Sequence, residues 1–135
     1  MPRVRKFITA LIPLPLYYNA DRRGRRKHIE DAKLVATAEE TARFLKEGGT
    51  LHVYRDARPR GFWWDNGIVD QDVHALLEID FVDSPRNRRW VAEYARRVLL
   101  RRFRQKAIYV KFIGPIERLV VGQVIAKRTD QEVNP

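Results

Sequence analysis

The chain has 135 residues, and 27 Lys and Arg residues against 17 Asp and Glu residues give it a net charge of +10. That length predicts a single domain, and the hydrophobic fraction of 44% is too high for a disordered chain. The absence of cysteine excludes disulfides, thiolate metal sites and cysteine catalysis, and no apolar run approaches the ~20 residues of a membrane-spanning helix.

The first predicted element is a β-strand over residues 5–12, where Phe, Ile, Thr and Leu are frequent. Pro13 and Pro15 are expected to end this strand, because proline lacks the N–H group that ladder pairing needs. The same prolines interrupt the apolar stretch behind the basic N-terminus, so no secretory signal is predicted. With neither a signal nor cysteine, the default expectation is a cytoplasmic protein.

Basic residues cluster in residues 19–27 (NADRRGRRK), which we call the basic loop. No apolar residue interrupts 21–27, so we expect this loop to be exposed and mobile. Guanidinium groups pair with phosphate through two hydrogen bonds, which makes five side chains candidate contacts to nucleic acid or another polyanion: Arg22, Arg23, Arg25, Arg26 and Lys27. The alternative interpretation is a solvated loop of an arginine-rich protein, without a ligand.

Residues 28–35 fit no single pattern and are expected to be partly extended. A helix is then predicted with Thr37 as its N-cap and Glu40 completing a capping box, and Gly48-Gly49 should stop it. A strand over residues 50–55 follows. A short hairpin turns at Asn66-Gly67, because this pair adopts the positive φ angles of a type I′ turn.

Residues 73–81 alternate apolar and polar side chains, which predicts a strand with one buried face. A second helix should begin at the Ser84 N-cap with Pro85 in its first position, and run to about Arg104. Three arginines of its polar face would widen the basic surface: Arg89, Arg96 and Arg97. The alternative is an ordinary solvated helix face. A strand over residues 107–113, ended by Gly114-Pro115, completes the predicted core elements.

The resulting order is β-α-β-β-α-β, with an extra C-terminal strand expected within residues 116–126. This order predicts an α+β fold, a ferredoxin-like split βαβ sandwich with two helices on one face of an antiparallel sheet. The other face of the sheet, the open face, is left to solvent or a partner. Residues 1–126 form the predicted domain, and residues 127–135 a frayed tail.

Two stretches of the second half, WWDNGIVDQDVHALLEIDF and YARRVLLRRFRQKAIYVKFIGPIE, resemble small uncharacterised bacterial proteins of ferredoxin-like fold. They are also similar to a secreted bacterial domain of unknown function, which ends in a helix, an Arg-Phe-x-Gln turn and a last strand. The turn is Arg102-Phe103-Arg104-Gln105 here. Because these are packing and turn residues, the resemblance implies a fold and no activity.

The stretch Arg60–Trp64 (RGFWW) is similar to the start of the RNA-recognition-motif signature. Trp63 stands where that signature needs Gly or Ala, and about twenty residues separate this strand from the second helix, so we do not predict membership. Trp64 remains a candidate for stacking on a base. The alternative is a pair in which one ring is in the core and the other at its edge or in an interface.

Two further sets of residues are candidate sites. Asp70, Asp72 and His74 would project from one side of a strand and could approach a cation, although carboxylates in a turn are ordinary. On the open face, His52, His74 and Glu78 could act as general acid and base. The open face, which also holds Tyr54, Tyr109 and Lys111, equally suits a homodimer interface.

The leading hypothesis is a non-catalytic basic domain that binds nucleic acid or another polyanion through the basic loop and dimerises through the open face. No cofactor and no membrane contact are predicted. A small enzyme using the open face and a protein–protein assembly module are the alternatives.

Overall fold

The computed structural model describes residues 5–54, 56 and 58–122. Five strands form one antiparallel sheet: β1 (Phe7–Pro15), β2 (Gly49–His52), β3 (Arg60–Asp65), β4 (Ile68–Val82) and β5 (Lys111–Ile116). The helices are α1 (Asp31–Leu45) and a second helix of three segments, α2 (Pro85–Tyr94), a π-helical turn (Ala95–Leu99) and α3 (Leu100–Arg102). The α+β class and the antiparallel sheet are therefore confirmed.

The strand order is β2-β4-β1-β5, and β3 pairs with the first half of β4. Because β4 has 15 residues, it serves both as the arm of a hairpin with β3 and as a central strand between β1 and β2. The second arm of the predicted hairpin and the predicted strand over 73–81 are thus one continuous strand. The Asn66-Gly67 turn is confirmed, with φ angles of 49° and 90°.

One face of the sheet packs against both helices, and the alternation predicted for β4 is confirmed. Ile8 lies opposite Phe81, and Ile12 opposite Leu77, with all four side chains at most 2% exposed. The helices complete this core with four α1 residues and four residues of the second helix: Leu34, Thr37, Thr41, Leu45, Val91, Tyr94, Ala95 and Leu99. The alternate residues of β4, from Asp70 to Val82, lie on the open face.

The prediction that Pro13 and Pro15 end the first strand is wrong. Both prolines lie in β1, which pairs with β4 from Phe7 to Pro15. The N–H of Leu16 donates to the carbonyl of Val73 in β4. Because backbone groups alternate in direction along a strand, the N–H groups of the odd-numbered residues of β1 point away from β4, toward the edge that pairs with β5. The pairing with β5 on that edge stops at Leu11, and the missing N–H groups therefore cost no ladder bond.

The predicted start of α1 is also wrong. The helix begins at Asp31, with Glu30 as its N-cap, so most of the segment expected to be extended is helical. Thr37 lies in mid-helix, where its hydroxyl donates to the carbonyl of Lys33 at 2.8 Å. The helix ends at Leu45, and Lys46 takes the left-handed conformation expected of glycine. Gly49 instead begins β2, where a Cβ atom would collide with the carbonyl of Glu78.

The second helix begins as predicted, because the Ser84 hydroxyl accepts a 3.1 Å hydrogen bond from the N–H of Asn87 and Pro85 holds the first position. The last strand is displaced from its prediction and includes Gly114-Pro115. A Cβ atom at position 114 would collide with Ile8 of β1, so only glycine allows this close approach. Residues 117–122 form no strand, and residues 123–135, with the predicted tail, lie outside the described residues.

Candidate functional site

The basic loop is a hydrogen-bonded turn between two paired stems. In the stems, Tyr17 forms an isolated antiparallel β-bridge with His28, and the N–H of Tyr18 donates to the carbonyl of Lys27 at 2.8 Å. At the tip, one carboxylate oxygen of Asp21 accepts hydrogen bonds of 2.9 Å from the N–H groups of Arg23 and Arg25. Gly24 has a φ of 75°, which suits this reversal of the chain. The role of Asp21 in forming this turn was not predicted from the sequence, although the preference of Asp for turns is a signal for it.

All five basic side chains of the loop are exposed, as predicted. Of these five side chains, only that of Arg25 forms an ion pair with another described residue. Its Nε lies 3.7 Å from the carboxylate of Asp21. The turn therefore presents a concentrated positive charge to solvent, and its backbone is held by the Asp21 carboxylate together with backbone hydrogen bonds from Asp21 to Arg25 and from Gly24 to Asp21.

The two helices run antiparallel. Phe44 stacks on Trp90 at one end, and Lys33 donates to the carbonyl of Arg102 at 3.1 Å at the other. The basic loop lies at the Arg102 end, because it precedes the first turn of α1. Arg89 is 13 residues before Arg102, or about 20 Å along the helix, so it is not brought to the basic loop.

Arg96 and Arg97 lie between these ends and both donate to one carboxylate, Glu93. Their charges are therefore partly neutralised within the helix. Arg104, just beyond the end of the second helix, contacts the basic loop, because its carbonyl accepts a 3.3 Å hydrogen bond from Asn19. The sequence predicted that the second helix ends at about Arg104, and the contact of this residue with the loop depends on tertiary packing.

An open cleft lies between the basic loop and the base of the β3–β4 hairpin. It is lined by residues of the loop, of both hairpin strands and of the stem: Tyr17, Arg26, Arg60, Gln71, Asp72 and Val73. Tyr17 accepts a 3.2 Å hydrogen bond from Arg58 at its hydroxyl. The cleft thus joins Arg26, which the sequence indicated, to Arg60, which it did not.

The two tryptophans of β3 point to opposite sides of the hairpin, and neither is in the buried core. Trp64 is 77% exposed, on the same side as Phe62, which is 75% exposed. Trp63 is half-buried on the open-face side, where its ring meets the edge of Tyr109 with centroids 6.2 Å apart. Trp64 is therefore available for stacking, and Trp63 is a packing residue.

The three candidate metal ligands do not converge. Asp72 Oδ1 lies 3.8 Å from His74 Nδ1. Within the ranges the structure describes, no group of three His, Asp or Glu side chains is arranged to hold a metal ion.

On the open face, His52 and Glu78 do meet. Nε2 of His52 lies 3.2 Å from Oε1 of Glu78, and Tyr54 Oη lies 3.3 Å from Nδ1 of the same ring. In the register of β2 against β4, His52 lies opposite Leu76. Glu78 is the next β4 residue on the same face, so its side chain is within reach of His52. His74 is four residues from Glu78 along β4, about 13 Å away, so it does not join this pair.

Within the described ranges, no helix is both long and apolar enough to cross a bilayer. Neither a protein-family model nor a curated protein matches the chain significantly, so the activity has to be inferred from the chemistry of its surface.

Proposed function

We propose that this protein is a non-catalytic binding domain for nucleic acid or a similar polyanion, and that the basic loop provides the main phosphate contacts. The observation that carries this proposal is the Asp21-centred turn, which holds four arginines and one lysine exposed on a fixed backbone. A preordered cationic turn loses little conformational entropy when it binds a phosphate chain.

The charge of the whole chain supports the same proposal. A net charge of +10 attracts a polyanion at long range, and the exposed loop arginines would release counterions on contact with phosphates. Arginine is the favoured residue for such contacts, because its planar donors match the oxygens of a phosphate.

Binding of a labelled oligonucleotide to protein freed of nucleic acid tests the proposal. The variant Arg22→Gln/Arg23→Gln should bind at least about tenfold more weakly, because each arginine supplies charge-assisted hydrogen bonds. The variant Arg43→Gln/Lys46→Gln removes the same charge at the far end of α1, about 20 Å away, and should bind almost as wild type does. Equal losses in both variants would contradict a role for the loop.

We propose further that the fold is ferredoxin-like, with β3 as an addition to its four-stranded sheet. The order β2-β4-β1-β5 supports this, because without β3 it places the first and third strands at the centre and the second and fourth at the edges. Contacts from both helices to one face of the sheet support it as well.

A second candidate function is general acid–base catalysis on the open face, favoured by the chain of contacts from Tyr54 through His52 to Glu78. A panel of chromogenic esters and phosphodiesters tests it. Hydrolysis that is lost in His52→Gln and kept in His74→Gln would support this function. An inactive wild-type protein would contradict it for these substrates.

A homodimer through the open face remains our proposal for the assembly of the chain. Ile113 and Tyr109, 44% and 46% exposed, are apolar surface that a second copy could cover there. Light scattering should then give twice the mass of one chain for wild type and the mass of one chain for Ile113→Glu. A wild-type monomer at high concentration would contradict the dimer.

A further inference from the structure

We infer that the ligand is a single-stranded nucleic acid, whose bases stack on Phe62 and Trp64 while its backbone follows the cleft between Arg26 and Arg60 to the basic loop. This inference rests on the proposed function and adds the class of nucleic acid and the second half of the binding surface.

Two aromatic rings of β3 are exposed on one side of the hairpin. Phe62 and Trp64 are 75% and 77% exposed, which is unusual for aromatic side chains of a strand. They lie two residues apart in β3, on the same side and about 7 Å from each other. Successive aromatic side chains of this kind stack successive unpaired bases, whereas paired bases in a duplex hide these faces from a protein.

Charge is separated between the two sides of the hairpin. Arg60 lies opposite Val73, and Trp64 opposite Val69. Since both valines are on the side of β4 that faces the helices further along the strand, the arginine and the aromatic side chains of β3 lie on that side too. The carboxylates of Asp65, Asp70 and Asp72 fall on the other side by alternation. The side that holds the two exposed rings is therefore free of the hairpin's acidic residues.

The aromatic side of the hairpin is continuous with the basic loop. Arg26 and Arg60 line one cleft, so the loop and the aromatic side of the hairpin adjoin. Asp72 also borders the cleft, but its carboxylate lies toward His74, 3.8 Å from the ring. A phosphate in the cleft would meet two guanidinium groups, and the bases on one side of it would reach the two rings.

The exposed rings could instead be covered by another protein, including a second copy of this chain. The charge of the cleft favours the nucleic acid, because Arg26 and Arg60 complement phosphate and have no carboxylate partner among the described residues. The alternative becomes an outcome of the test.

The test compares a labelled oligothymidylate with the duplex it forms with oligoadenylate, at the same low salt. Wild type should bind the single strand more tightly than the duplex. The variant Phe62→Leu/Trp64→Leu keeps apolar side chains and loses the aromatic faces, so it should bind the single strand at least about tenfold more weakly, with little change for the duplex. Ile68→Ser, on the other side of the same hairpin, is the matched control and should behave as wild type.

Equal wild-type affinities for single strand and duplex, or a leucine variant with undiminished single-strand binding, would overturn this inference and leave the proposed function intact. Binding to neither ligand would overturn both. A dimer in light scattering that Phe62→Leu/Trp64→Leu converts to monomers would assign the rings to a second copy and also overturn the inference.

Discussion

The hydroxyl of Tyr94 donates a 2.7 Å hydrogen bond to the Glu40 carboxylate, and this contact joins the second helix to α1. Arg102 donates to the same carboxylate at 2.9 and 3.0 Å, and to the hydroxyl of Thr37 at 3.0 Å. This network joins the middle of α1 to the second helix. Its contribution to stability can be measured separately from the binding surface.

Replacing the shared acceptor of this network should destabilise the fold. In Glu40→Gln the guanidinium of Arg102, whose side chain is 19% exposed, loses its charged partner. The expected loss is about 1–3 kcal/mol in the free energy of unfolding, measured by urea denaturation. Glu39→Gln is the same change one residue earlier on an exposed side chain, and should cost less than about 0.5 kcal/mol. Equal losses would show that the network contributes nothing.

The network should also make stability depend on pH at the acid end. Burial alone would raise the pKa of Glu40, but hydrogen bonds from Tyr94 and Arg102 outweigh it and hold the pKa below the ordinary 4.5. A lowered pKa gives stability that is present above pH 4.5 and lost as the pH falls through the folded-state value. Wild type should therefore lose stability below pH 4.5 more steeply than Glu40→Gln. Parallel unfolding curves would contradict this.

At the alkaline end the titrating group is Tyr94. Burial and the bond to Glu40 raise its pKa above the ordinary value of 10. The neutral phenol is therefore favoured in the folded state, and this stability is present below pH 10 and lost as the pH rises further. As the pH is raised from below 10 to above 10, the melting temperature should fall more for wild type than for Tyr94→Phe. The same fall in both proteins would show that another group titrates.

Two phenylalanines with opposite environments should separate folding from binding. Phe81 is 0% exposed in the core, and Phe81→Ala should cost about 3–5 kcal/mol of unfolding free energy because it leaves a cavity. Phe62 is 75% exposed, and Phe62→Ala should change stability by less than about 0.5 kcal/mol. Chemical denaturation measures both, and a large loss for Phe62→Ala would mean that the ring has a folding role.

Adjacent glycines give a similar contrast at the start of β2. A Cβ atom at Gly49 would collide with the carbonyl of Glu78, so Gly49→Ala should destabilise by about 1–3 kcal/mol. Nothing lies within 4 Å of a Cβ atom at Gly48, and Gly48→Ala should be neutral or slightly stabilising. If thermal unfolding ranks these two variants in the reverse order, the β2–β4 contact is wrong.

The correct sequence predictions depended on neighbouring residues alone. The alternation of β4 and the Ser84-Pro85 helix start follow from local rules that tertiary contacts did not override. The Thr37–Glu40 pattern matched a capping box, but Glu40 is placed by its bonds to Tyr94 and Arg102 from the other helix. A distant partner of this kind leaves no signal in the local sequence.

The candidate site shows the same limit. The exposed charges of the basic loop could be predicted from composition, because an uninterrupted polar run rarely enters a core. The cleft could not, since it needs Arg60 of β3 beside Arg26 of the loop, and this depends on strand order. The contact between His52 and Glu78 likewise depends on the register of β2 against β4.

The most direct test of the central claim is the salt dependence of binding to a short labelled oligothymidylate, for wild type and Arg22→Gln/Arg23→Gln. Wild type should show log affinity falling linearly with log salt, with a slope of about −0.7 for each phosphate contact, and the variant should have a shallower slope. No binding at low salt, or an identical slope in the two proteins, would contradict the assignment of phosphate contacts to the basic loop.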